Sequence, residues 1–411
     1  MAGYAPESDP FPLHIQPLAG YAPENGAKTA LFHLFAGYLP EWHAIQIPTR
    51  HPPKMEKIRK LAGYAPDYPS KQRSAKSSLF YDQINRLIDW TTIEKVINRY
   101  YHKGETLQGQ RPYSGVLLFK MLLPGIWNDL SDVKTEAYVN DSLSAMRFCG
   151  LNLEDPVPDH STLSRFRSEL TKNKGMDKLL LAFNKQPEKH QVIVRTGLKV
   201  DASLTETPRK PKGKIRYEIA QDRKEDEVSG EEQAKQRDSL TKLQGKGLDT
   251  EGRWLKKNGR SIFGFKHHDA VDENGLIIGV HTTTANEHDS KGLKPLLDKI
   301  PKRYKKQGVY GDKGYKVPAN DELLKEHNIK NRLMNKAYRN RPLTHWQRLF
   351  NKLISQTRWV VERTFGSIKK WFGGDQARYM GLDKTHTQHI LQAIAYNLKR
   401  APGIIVSNSL K

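Results

Sequence analysis

Cysteine is almost missing from this 411-residue chain. Cys149 stands alone, which excludes an intrachain disulfide and a cysteine-based zinc site. Long apolar runs are missing too. None approaches the ~18 residues of a membrane span, and no basic segment followed by an apolar one opens the chain as a secretory leader would. The expectation is a soluble, cytoplasmic protein with no membrane partner. Acidic residues are the third shortage: 68 Lys and Arg face 45 Asp and Glu, for a formal charge of +23. The excess is uneven, since residues 301–411 hold 23 Lys or Arg against 7 Asp or Glu, a net of +16. A polyanion is the natural partner, and neutralising phosphates makes such binding salt-dependent. Charge alone does not separate an enzyme from a packaging protein.

The first 70 residues carry an irregular repeat. AGYAPE occurs at Ala2–Glu7 and Ala19–Glu24, AGYLPE at Ala36–Glu41 and AGYAPD at Ala62–Asp67, at spacings of 17, 17 and 26 residues. Stacked solenoid units need a fixed period. Eleven prolines in the same stretch argue for a disordered extension over 1–73. Helical spacing begins after it, with Leu79, Ile84, Leu87 and Ile88, then Ile93, Val96 and Ile97, then Val116–Leu123. Pro158–Arg167 reads as a helix start. Asp159 or Ser161 serves as N-cap, Leu163, Phe166 and Leu170 form an apolar face, and Arg165 and Arg167 are expected to point to solvent. A helix-turn-helix DNA reader and a plain packing helix both fit that pattern.

Further on the pattern changes. Val192–Val200 is rich in β-branched residues and is expected to be a strand ending at Asp201. Residues 208–260 are almost wholly polar and read as a solvated insertion, with Trp254 near its end. Ser261–Val271 and Leu276–Thr284 are predicted strands joined at Asn274-Gly275, a hairpin signal. A helix over His288–Ile300, a short strand over Gly308–Asp312, a helix over Pro318–His327 and a strand over Ile329–Met334 follow. A long helix over Thr344–Phe372 stops at Gly373-Gly374, and a last helix covers Asp383–Arg400. Asp201 thus ends the first strand and Asp312 the fourth. If those strands are parallel neighbours, both carboxylates sit at the sheet edge where open α/β folds place active sites. His267, His268 and His288 lack an acidic or cysteine partner at ligand spacing and are read as neutral structural histidines.

The long helix contains RWVVERTFGSIK, Arg358–Lys369. Steps of four and eleven residues return Glu362 and Lys369 to within about 40° of Arg358. One carboxylate therefore lies between two cations, while Val361, Phe365, Ile368 and Phe372 form an apolar stripe. A surface helix with an Arg–Glu pair worth tenths of a kcal/mol and a metal ligand facing a phosphate backbone both fit this stretch. Three carboxylates brought together at a sheet edge cannot all stay ionised without a cation. Hard oxygen donors suit Mg²⁺ or Mn²⁺.

Taken together, ValAspAlaSer at 200–203, TyrGlyAspLysGlyTyr at 310–315, GlyPheLysHisHis at 264–268, ThrAlaAsnGluHisAspSer at 284–290 and the Arg358–Glu362–Lys369 spacing resemble the DDE transposases of bacterial insertion sequences, family five. AspHisSerThrLeuSerArgPheArg at 159–167 is similar to the end of their helical domain. The resemblance covers about residues 79–400 and leaves the extension outside. It implies an α/β, ribonuclease-H-like mixed sheet with helices, preceded by a mainly helical domain. It also implies Asp201, Asp312 and Glu362 as a triad holding two Mg²⁺ or Mn²⁺ ions. Arg358 and Lys369 take the places of the cations in the family's Tyr-Arg-Glu-Lys signature, where Ser355 replaces the tyrosine. Lys313 and Lys316, beside Asp312, and Arg165 and Arg167 are further candidate DNA contacts.

The resulting expectation is a disordered extension at 1–73, a helical DNA-binding and dimerisation domain at 74–190, a catalytic domain at 191–400 and a tail at 401–411. Such a protein binds the terminal inverted repeats of its own element, cleaves the ends and joins the 3′-hydroxyls to target DNA. It works in the bacterial cytosol on the nucleoid, as a homodimer in the DNA complex. A ribonuclease-H-like nuclease without strand transfer and a DNA-binding repressor are the rival readings.

Overall fold

The computed structural model describes residues 76–409 except 103–111, 189–191, 195–196, 212–216, 220–239, 243–246, 258 and 306. The repeat-bearing extension and most of the expected insertion lie outside the described residues. Seven helices come first: α1 (Lys76–Leu87), α2 (Trp90–Ile97), α3 (Gly115–Trp127), α4 (Asp132–Asp141), α5 (Leu143–Cys149), α6 (His160–Lys172) and α7 (Met176–Glu188). Short polar side chains start most of them. Asp89, Ser114, Ser131, Ser142 and Asp159 each accept a hydrogen bond from a backbone N–H of the first turn of α2 to α6 in turn, satisfying donors that a helix start leaves open. Their apolar faces close on one another around Phe119, Phe148, Phe166 and Phe183.

The strands follow as β1 (Leu198–Glu206), β2 (Tyr217–Ile219), β3 (Leu240–Lys242), β4 (Arg253–Lys257), β5 (Arg260–Val271), β6 (Ile277–Thr284), β7 (Val309–Gly311) and β8 (Asn331–Leu333). Among the described residues, β2 and β3 form a separate two-stranded sheet. The main sheet runs β6-β5-β1-β7-β8, with β4 on the free end of β5. β6, β5 and β1 are antiparallel, whereas β1, β7 and β8 are parallel. Three antiparallel strands flanked by two parallel ones make a ribonuclease-H-like mixed sheet. The remaining helices are α8 (Asp289–Lys299), α9 (Lys302–Lys305), α10 (Pro318–Glu326), α11 (His345–Phe372) and α12 (Leu382–Ser409). Among the described residues no helix is long and apolar enough to cross a membrane.

Alternation along β5 and β6 feeds two cores, and β1 adds to the first. Val200 and Ala270 face Leu293, Leu296 and Tyr315 of α8 and the segment after β7. Val271 and Ile277 face Val361, Phe365 and Ile394 of α11 and α12. That second core is continuous with the helical region. Trp127 Nε1 donates to the Ala395 carbonyl at 2.9 Å, and Asn184 Nδ2 donates to the Ile277 carbonyl at 2.9 Å. The helical region is therefore packed on the sheet through α12 rather than tethered to it.

Several expectations need correction. Val192 and Ile193 are buried, but they and Val194 are not in the ladder. Val194 N donates to the Asp272 carboxylate at 2.8 Å, and the strand begins only at Leu198. Asp201 accordingly lies inside β1, where the parallel ladder to β7 stops. The end of the expected insertion belongs to the sheet, because β4 pairs with β5 and Trp254 packs 5.1 Å from Phe263. The last helix passes Arg400 and Pro402 to reach Ser409, since Ala401, Ile404 and Ile405 pack on the first core, that of Val200 and Ala270.

Arg167 corrects a functional expectation. Instead of facing solvent it is 6% exposed, forms two bonds of 2.8 and 2.9 Å with the Asp132 carboxylate and stacks on Tyr379. The α4 carboxylate can reach this position because α4 and α6 pack side by side. Arg165 is exposed and donates to Ser161 and Thr162 at 3.2 Å. Removing one partner of a buried pair leaves the other uncompensated. Arg167→Ala is thus expected to destabilise the protein by about 3 kcal/mol, while Arg165→Ala stays within about 0.5 kcal/mol of wild type. Urea unfolding of both variants checks this, and equal midpoints would return Arg167 to the surface.

Candidate active site

The site begins with a strand register. Val200 of β1 lies opposite Gly311 of β7 in the parallel ladder, so the next residues, Asp201 and Asp312, leave the ladder side by side. Gly311 leaves room for β8, since a Cβ there would stand 2.8 Å from Leu333 Cδ2 and push that side chain aside. Asp312 then caps the single 3₁₀ turn Lys313–Tyr315, accepting the Lys313 N–H at 2.6 Å. Across the two aspartates runs α11. A Thr344–Gln347 capping box starts it and Gly373, at φ 59°, ends it. Val361, Phe365, Ile368 and Phe372 are buried as the stripe required. Thr364 Oγ1 donates to the Gly275 carbonyl at 2.9 Å and Arg363 Nη2 to Asn274 O at 3.1 Å. These bonds fix α11 against the β5–β6 turn and set the rotation of its opposite face.

That face delivers Arg358 and Glu362. Arg358 Nη2 bonds Asp201 Oδ2 at 2.8 Å and lies 3.9 Å from Glu362 Oε1, and Nη1 lies 3.6 Å from Asp312 Oδ1. The three acidic residues singled out in the sequence thus meet around one guanidinium. Exposure rises across the set, from 19% for the Asp201 side chain to 36% for Asp312 and 63% for Glu362. Burial pushes the Asp201 carboxyl up, against the opposing pull of Arg358. Burial would lower the Arg358 pKa, but Asp201 and then Asp312 leave it raised. Three carboxylates against one guanidinium still leave a formal deficit of two positive charges.

Oxygen donors of this kind fit a hard divalent cation. Among the described residues, however, no three His, Cys, Asp or Glu side chains are gathered tightly enough to hold a metal by themselves, because Arg358 stands between them. The donor chemistry fits such an ion, and the Arg358 guanidinium lies among the three carboxylates.

The other candidates scatter. Lys313 is exposed beside Asp312, while Lys316 turns away to pair with Asp321 at 2.8 Å. Lys369 faces Lys257 and Asp375, and desolvation followed by Lys257 lowers its ammonium pKa. Ser355 is exposed on α11. Arg165 and Arg167 lie on α6, outside the carboxylate cluster.

A second ring escaped sequence reasoning. Lys266 is buried and donates to Asp289 at 2.7 Å and to the Glu287 carbonyl at 2.6 Å. His268 bonds Tyr315 Oη at 2.9 Å, and the small Gly292 of α8 lets its ring lie flat against that helix. GlyPheLysHisHis, ThrAlaAsnGluHisAspSer and TyrGlyAspLysGlyTyr are therefore one interlocked unit holding the Asp312 turn. Their place in three motifs was the available signal. His267 bonds Asp269 at 3.0 Å and His288 caps α8, in keeping with structural roles.

Residues 194–398 match the family described as Transposase DDE domain, and residues 69–169 match the family Transposase domain (DUF772). The chain is also similar to the transposase for insertion sequence element IS1106 of Neisseria meningitidis serogroup B. The two are 36% identical over 245 residues, spanning 58% of this chain and 76% of that protein. No solved structure matches.

The buried histidines make the scaffold acid-sensitive. Desolvation lowers His268 to about 3 and His281 to about 4, and takes His389 well below its ordinary value. The unfolded chain, with imidazoles near pKa ~6.5, binds more protons than the folded one below that pH. Stability is therefore full above about pH 6.5 and falls as pH drops towards 4, by up to about 1.4 kcal/mol per pH unit for each histidine. Melting curves across this range should show the decline, and His268→Gln should flatten part of it. A pH-independent melt would contradict the burial of these rings.

Proposed function

The chain belongs to the DDE transposases of insertion sequence elements, and on that basis we propose that Asp201, Asp312 and Glu362 form its catalytic triad. Within the family it falls in insertion sequence family five. It binds the terminal inverted repeats of its own element, cleaves the ends and joins the freed 3′-hydroxyls to target DNA. The observation that carries the triad is the convergence of these three carboxylates on Arg358 at 2.8, 3.6 and 3.9 Å. Asp201, Asp312 and Glu362 would hold two Mg²⁺ or Mn²⁺ ions, which supply Lewis acidity to the attacking and leaving oxygens of an in-line phosphoryl displacement.

The chain's own side chains do the rest. Arg358 offers a planar guanidinium to a scissile or terminal phosphate, and Lys313 and Lys369 add point charges along the backbone. The approach to the site suits that role: residues 327–361 contain eight Lys or Arg and no Asp or Glu. Water or a DNA 3′-hydroxyl is the nucleophile in either step, so no Ser, Tyr or Cys is needed to carry a covalent intermediate. Joining two ends requires two such sites, which implies a homodimer in the DNA complex. The setting is the bacterial cytosol, on the nucleoid.

Two measurements test this. Glu362→Gln, Asp201→Asn and Asp312→Asn are each expected to bind end DNA at least as well as wild type, because a negative charge facing phosphate is gone. Mg²⁺-dependent cleavage and joining should fall together by orders of magnitude, and the losses should not add. Wild-type cutting by Glu362→Gln would sink the triad, whereas cleavage without joined product would leave a nuclease and binding without cleavage a repressor. Separately, the +16 balance of residues 301–411 predicts a log–log decline of DNA affinity with salt of several units. A nearly flat decline, followed by fluorescence anisotropy, would remove the electrostatic reading.

A further inference from the structure

Arg358 has two claims on it. As a cation facing phosphate it belongs to DNA, yet in the structure it is the counter-ion of the carboxylates. We propose that Arg358 occupies the metal site until a DNA phosphate draws its guanidinium away, so that DNA and metal load the site together rather than independently. This rests on reading Asp201, Asp312 and Glu362 as the metal ligands.

Three observations support the exchange. The first is occupancy. The guanidinium lies 2.8 Å from Asp201 and within 4 Å of both other carboxylates. A divalent ion sharing those oxygens at ~2.1 Å would sit against a like charge. The second is incomplete satisfaction. The Nε of Arg358 is buried without a hydrogen-bond partner, and only the Asp201 contact among the three carboxylates is as short as a hydrogen bond. A phosphate offers the fork of parallel acceptors that a guanidinium matches best. The third is the charge deficit. One guanidinium cannot neutralise three carboxylates, so a doubly charged ion is the better counter-ion once the arginine has another anion to serve. By linkage, whatever DNA does for the metal affinity, the metal does for the DNA affinity. The site is then armed only on DNA.

Manganese uptake, followed by the paramagnetic resonance of the free ion, tests this without reference to activity. DNA-free wild type should take up Mn²⁺ weakly. Arg358→Gln should bind it roughly tenfold more tightly or better, the equivalent of about 1.4 kcal/mol. A short duplex carrying the element's own terminus should tighten Mn²⁺ binding to wild type by a similar factor and add little to the variant. Arg358→Lys, which keeps the charge but not the planar fork, should lie between the two and serves if the glutamine variant does not fold. Lys325→Gln removes an exposed charge on α10, away from the carboxylates, and should change little. If DNA-free wild type matches Arg358→Gln, or if Lys325→Gln gives the same gain, the exchange is refuted and the triad survives. If neither wild type nor any variant takes up Mn²⁺, even with the duplex, both fall.

Discussion

The parallel pairing of β1 with β7 is the constraint on which the rest of the molecule depends. It is only three residues long on each strand, yet it places Asp201 and Asp312 at adjacent positions just past the end of the parallel ladder, Asp201 still within β1 and Asp312 just beyond β7. A one-residue slip would turn one of them to the opposite face. Local packing holds the register. Gly311 permits the close approach of Leu333 on β8, and Asp312 is pinned by its own cap on the following turn. The segment behind that turn is held by Tyr315, whose hydroxyl meets His268 on β5.

Electrostatics then decides what such a register costs. Two aspartates side by side, with a glutamate across from them, repel one another unless a cation intervenes. Arg358 answers that need from the long helix, four residues before Glu362, and it does so from a side chain only 14% exposed. The same geometry explains why a stripe that looked like an ordinary intrahelical pair is something else. At 3.9 Å the contact with Glu362 is the loosest of the three, while the bond to Asp201 spans 157 residues of sequence. The arginine serves the sheet first and its helical neighbour second.

Around this centre the charged and polar residues divide into those that build and those that remain available. Lys266, His268, Asp289 and Arg167 build: each is bound to a partner far away in the chain. Lys313 and the cations from Lys330 to Lys352 remain exposed. Motif membership alone did not separate the two groups, because buried residues that brace the Asp312 turn and exposed cations such as Lys313 occur together in the same short segments.

What the sequence determined by itself was local. Helix starts at Asp159 and Thr344, the stop at Gly373, the hairpin at Asn274-Gly275 and the apolar stripe of α11 all rest on the conformational preferences of a few consecutive residues. Those preferences act whatever the rest of the chain does. Three acidic residues at strand ends and on a helix were visible for the same reason, and the family resemblance ordered them. Only the tertiary structure decided where Val192–Val200 begins to be a strand, that Arg167 turns inward to Asp132, and that Arg358 sits among all three carboxylates. Each of those outcomes depends on a partner brought near by sheet register and helix packing. The strength of a buried ion pair is set by that distance and by the exclusion of water, neither of which is written in neighbouring residues.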